Sequence, residues 1–191
     1  MHQIEPFWKW RSSYIAQEDE LSPLYGYENN EFAFDKLVYN YYIHPQWDDF
    51  GSSTLYLKVI FVDYYLQTAV IEFMGEWNDA IENDIMYLKT EIINPMINQG
   101  INKFVLIGEN ILNFHASDNC YYEEWSEDID EHGGWVIALN FRDHVLDEME
   151  SADIQQFIHI HERFSDVDWR KFKPELLVTY LDDMLLKRIG V

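Results

Sequence analysis

The sequence has one cysteine, Cys120, so no disulfide can close within the chain and the fold must be held by its core. A lone thiol fits a reducing compartment. Basic residues are also scarce: 13 Lys and Arg stand against 35 Asp and Glu, a formal charge of −22. A surface of that sign repels phosphate backbones and anionic lipid heads, which argues against nucleic acid and membrane surfaces as partners. It favours a basic protein or a cation, and it also simply keeps a chain soluble. No apolar run reaches membrane-spanning length; the most hydrophobic stretch, residues 55–74, is interrupted by Lys58, Asp63, Gln67 and Glu72. The opening Met1-His2-Gln3-Ile4-Glu5 lacks the basic-then-apolar layout of a secretory signal. A cytoplasmic location is the expectation.

Motifs of chemistry are missing too. There is no phosphate-binding P-loop, no dinucleotide glycine fingerprint and no His-Glu-x-x-His pattern, so no cofactor is expected. Asp128-Ile129-Asp130-Glu131 lacks the alternating ligands and central glycine of a calcium loop. Acidic pairs such as Asp48-Asp49, Glu123-Glu124 and Asp182-Asp183 are too common for adjacency to mark a catalytic dyad. Cys120 lies near His115 in sequence, but a thiol without a placed base is usually inert. His159 and His161 fall two apart on an expected strand and face the same way, with Glu162 next. Two histidines and a carboxylate are a partial metal set, and a metal-dependent hydrolase is one alternative reading. The same alternation equally describes a half-exposed strand with Ile158 and Ile160 inward.

What the chain has in plenty is rings: 7 Trp, 13 Tyr and 12 Phe. Much of the core must be built from them, with some left at the surface, where Tyr and Trp also anchor interfaces. A chain of 191 residues fits one domain with terminal additions. Residues 1–53 are irregular and aromatic-rich, an extension packed on the core formed by 54–191. The spacing of Phe34, Leu37, Val38 and Tyr41 suits a short helix within 32–42, though its aromatics would also suit a strand. Residues 55–62 and 68–74 are rich in β-branched and aromatic side chains and read as a hairpin.

Ile81, Ile85, Leu88, Ile92 and Met96 form one apolar stripe of a helix that Pro95 should bend or stop near Asn94. Residues 103–107 read as a buried strand, parallel to its predecessor if the helix between them is a crossover. A helix capped by Asp118 or Asn119 follows, then a strand at 135–139, a short helix at 144–149 and a strand at 156–161. Pro174 opens a last helix. The order predicts an α/β domain with a mostly parallel sheet and helices packed on it.

From about Thr68 to Ile160 this order resembles the STAS domain, typified by the anti-sigma-factor antagonists of sporulation and stress signalling. Gly75-Glu76-Trp77-Asn78 stands where the family has a Gly-Glu-Leu-Asp-like turn. Phe114-His115-Ala116-Ser117-Asp118-Asn119 stands where it has a Phe-x-Asp-Ser-Ser-Gly loop, and Gly133-Gly134 precedes the next strand. The resemblance covers about half the chain and rests on architecture more than identity. It implies a non-enzymatic regulatory module that docks a protein partner, with Ser117 phosphorylated by a serine kinase and released by a phosphatase. Ala116, Asp118 and Asn119 replace the family's Asp, Ser and Gly, so the switch is degenerate. Partner contacts are expected at Glu76, Trp77, Asn78, His115, Asp118, Asn119 and Tyr122 around that serine. A self-associating scaffold that kept the fold and lost the switch is the other non-enzymatic reading.

Overall fold

Both faces of one sheet are covered in the computed structural model, which describes residues 1–30 and 32–186. A small ribbon, β1 (Leu37–Val38) and β2 (Tyr41–Tyr42), comes first. The main strands are β3 (Leu55–Asp63), β4 (Thr68–Asn78), β5 (Lys103–His115) and β6 (Trp135–Leu139), in that spatial order. β3 and β4 pair antiparallel; β4–β5 and β5–β6 pair parallel. The sheet is mixed and mostly parallel, and the chain is an α/β protein.

Helical segments α1 (Asp84–Tyr87) and α2 (Asn94–Asn98) join β4 to β5, and α3 (Cys120–Asp130) joins β5 to β6. Because the strands are laid down in one direction, right-handed crossovers put these helices on the same face. α4 (Asp143–Ser151) joins them there. Leu57, Ile71, Leu106 and Ala138 of the sheet pack on that side with Ile85, Ile92, Trp125 and Val145. On the other face Val70, Val105 and Ile137 meet Leu177 and Leu181 of α5 (Pro174–Leu186), with Trp10 and Trp169. Burial on both sides is why these strands read as near-continuous apolar runs. No helix among the described residues is long and apolar enough to cross a membrane.

The first 53 residues act as a strap. Phe7, Trp10 and Trp169 form an edge-to-face trio with centroids 4.8–5.5 Å apart. Phe7 donates its backbone N–H to buried Glu72 at 2.8 Å, and the Trp47 indole donates to the Ile4 carbonyl at 2.9 Å.

Over 32–42 the strand alternative holds and the helix does not: β1 and β2 are joined there by a turn in which Tyr39 and Asn40 both take positive φ, the tight hairpin geometry. Two other expected elements differ. The helix begins at Asp84 rather than near Ile81, which is 81% exposed. It is not stopped by Pro95: a π-helical stretch, Leu88–Ile93, carries it into α2. That wide turn lies immediately before a ring that excludes the ordinary i→i−4 hydrogen bond. The strand expected over 156–161 is a 3₁₀ turn, Ile154–Gln156, followed by one parallel bridge between His159 and Ile137.

Candidate functional site

The C-terminal ends of β4 and β5 gather most of the residues singled out by sequence. Gly75 has φ +126°, and a Cβ there would lie 2.1 Å from the Thr54 carbonyl oxygen. Only glycine permits that approach. It lets the Glu76 N–H reach the same oxygen at 3.0 Å and lets β4 run on to Asn78. Register irregularities at 72/74 and 75/76 bring Glu76 opposite Asn113, and Asn78 opposite His115.

A polar rim results. Glu76 Oε1 accepts from Asn78 Nδ2 at 2.9 Å and lies 3.4 Å from His115 Nε2. Tyr39, at the tip of the β1–β2 ribbon, accepts from Asn113 Nδ2 at 2.7 Å. Burial, and next a hydrogen bond with Glu76, push the Tyr39 hydroxyl above its usual pKa. Glu76 and Asn78 are buried, while His115 is exposed.

Beneath the rim lies a second network. Asp79 Oδ1 accepts from the Trp77 indole at 3.0 Å and the Ile85 N–H at 2.8 Å; Oδ2 accepts from the Tyr122 hydroxyl at 2.6 Å. Burial raises the Asp79 pKa to about 6, against the pull of these donors. Asp84 Oδ2 takes the Asn78 N–H at 2.7 Å. Trp77 and Tyr122 are therefore inside the protein. They fix the rim in place and, at 0% and 2% exposed, present almost no surface of their own, whereas they were expected among the partner contacts.

Ser117 is exposed in the loop between β5 and α3. Asn119 is the N-cap residue, but its side chain donates instead to the Ala152 carbonyl at 2.8 Å. Asp118 Oδ1 takes the Cys120 N–H at 3.2 Å. The neighbouring Asp118 carboxylate pushes the Cys120 thiol pKa upward, the wrong direction for a nucleophile. Ser117, His115 and Glu76 do not make a hydrolytic triad: His115 Nε2 is directed to Glu76, and no hydrogen bond joins the imidazole to Ser117.

The histidine set lies elsewhere. His161 Nδ1 accepts from the Arg163 N–H at 3.2 Å, capping the turn Glu162–Phe164. Among the described residues no three His, Cys, Asp or Glu side chains are grouped so that they could hold a metal ion, and His159, His161 and Glu162 are not brought together in such a group. Tyr39 and Asn113 were not expected at the rim. They lie 74 residues apart in sequence, and no local pattern joins them. Asp79 lies two residues after Trp77, and no local pattern joins it to Tyr122, 43 residues further on.

No protein-family model matches the chain, and no characterised protein matches it in sequence.

Proposed function

We propose that the chain is a non-enzymatic, STAS-like regulatory module that docks a protein partner through the Ser117 loop and works in the cytoplasm. The observation that carries this reading is the placement of an exposed serine three residues before α3, on a support of buried, hydrogen-bonded residues. His115 and Asp118 flank it on the surface. A phosphate on Ser117 adds about −1.5 to −2 charges. The start of α3 stabilises that charge, whereas Asp118 and Glu123 oppose it. The switch is accordingly weak, and docking is its main mechanism. The chain's charge selects a basic partner surface.

Capture of the protein at its native level, with mass spectrometry of Ser117 and of whatever is retained, tests the reading. A serine kinase or phosphatase held by the unmodified chain and released by Ser117→Glu, with Ser117→Ala unaffected, is the expected result. Equal retention by both variants removes the switch.

A second reading, self-association, rests on the β1–β2 ribbon. Tyr41 and Tyr42 are 65% and 53% exposed there. Exposed rings on a short ribbon suit an interface. Tyr41→Ser with Tyr42→Ser would convert a concentration-dependent dimer to monomer in sedimentation analysis.

A further inference from the structure

The strap and β3 enclose a half-open cavity of about 200 Å³. Its walls are apolar where Phe7, Ile15 and Ile60 line it, and polar where Arg11 and Lys58 do. The setting is unusual for this chain. Of 35 acidic residues, none lines the cavity among the described residues. An outer groove shares Pro6, Arg11 and Gln46 with it and adds Lys9 and His44 against a single acid, Glu5.

The two cations are not equivalent. Lys58 is buried and spends its ammonium on Asp48, with Nζ–O distances of 3.0 and 3.1 Å. Asp48 is fully buried and is further satisfied by Gln17 Nε2 at 3.1 Å and by Asn29 Nδ2. That acid is neutralised in place and cannot serve Arg11. The Arg11 guanidinium meets the Gln46 amide oxygen, and no described carboxylate lies within ion-pair distance of it. In a chain of charge −22, a guanidinium at the mouth of a partly apolar cavity that no described carboxylate pairs is suited to meet an anion.

Size narrows the class. A cavity of 150 Å³ accepts benzene, so one of about 200 Å³ takes a ring or branched chain with one small charged group. We propose that this cavity binds a small carboxylic acid with an apolar body, its carboxylate on Arg11 and its body against Phe7, Ile15 and Ile60. Arginine suits the planar carboxylate because its donors match both oxygens. The site is separate from the Ser117 loop and does not depend on the docking reading.

Ligand-observed NMR titration of the full chain tests the proposal, with benzoate and isovalerate as probes and benzyl alcohol as a neutral match for benzoate. At least one carboxylate is expected to bind about tenfold more tightly than the alcohol, the gain of a charge-assisted contact. Arg11→Gln should abolish that preference. The Arg11 side chain is exposed, so circular dichroism should show the variant folded. Lys171→Gln, a remote exposed cation paired with Asp168, should keep the preference. The proposal is overturned if neither carboxylate binds, if alcohol and acid bind alike, if the preference survives Arg11→Gln, or if Lys171→Gln removes it equally.

Discussion

Glu72 is a costly placement. It sits in the middle of β4, 1% exposed, directly opposite Lys58 across the β3–β4 ladder. Lys58 is committed to Asp48, so Glu72 relies on the Phe7 N–H and on Arg170 at 3.8 Å. Burial outweighs both and raises its pKa from 4.5 to about 7, and nearby Glu109 adds to the rise. A carboxyl whose folded pKa is raised binds its proton more tightly in the folded state. Its contribution to stability is therefore greatest below about pH 4.5 and is lost as pH climbs towards 7. At about 1.4 kcal/mol per unit, this one group accounts for roughly 3 kcal/mol across that window. Asp79, raised to about 6, adds loss of the same sign between its ordinary pKa and that value. Glu72→Gln should flatten the pH dependence of urea-induced unfolding between pH 5 and pH 8 and be the more stable form at the upper end. Parallel curves for the two proteins would show that the Glu72 proton plays no part.

Among the elements, the helix that joins β4 to β5 depends most on a contact outside itself. Its π-helical stretch starts at Leu88, and Lys89, with 1% of its side chain exposed, ties it to α3. The ammonium reaches Asp128 Oδ2 at 2.7 Å, Asn94 Oδ1 at 2.7 Å and Glu124 Oε1 at 3.0 Å. Lys89→Met keeps the length of the stem, removes three hydrogen bonds and leaves the two acids at the surface. A loss of about 1–3 kcal/mol is expected by denaturant titration, and a change below about 0.5 kcal/mol would mean the tie is incidental.

The same element shows where sequence patterns stop being informative. The stripe from Ile85 to Met96 marks a buried helix correctly, since burial depends on spacing. The π turn does not announce itself, because it depends on how Pro95 and the Lys89 tie are accommodated together. Strands β3 and β6 begin and end close to where their β-branched runs do. β4 and β5 outrun theirs by 4 and 8 residues, because Gly75 and two register shifts let polar residues continue the ladder. At the rim, Glu76, Asn78 and His115 were legible as a group, whereas Tyr39 reaches it only through the ribbon of the strap. The bridge at His159 fails as a strand for a related reason: alternation of Ile and His describes any chain with one side inward.

For the whole molecule, the question is whether residues 1–53 are an addition to an α/β core or part of it. The sequence suggests an addition, since regular periodicity begins only at Leu55. The packing argues otherwise. Ala16, Leu24 and Phe50 belong to the core on the helical face, Trp10 to the core on the opposite face, and Ile43 and Trp47 to a third cluster with Tyr56 and Met74. Removing the strap would expose apolar surface on both sides of the sheet, at roughly 25 cal/mol for each Å². It would also take away Asp48, the carboxylate that pairs with Lys58, together with the residues that cover that ammonium. Glu72 would lose the Phe7 N–H at the same time. An ordinary domain has only about 5–15 kcal/mol in all to set against that exposure. A chain of residues 54–191 should therefore keep helical far-ultraviolet dichroism but lose the near-ultraviolet signal of fixed aromatic rings, and should bind a hydrophobic dye. Adding residues 1–53 as a separate peptide should restore the near-ultraviolet signal. If the shortened chain instead unfolds in one sharp transition with its aromatic signal intact, the sheet and helices form a self-sufficient domain and the strap is a cover.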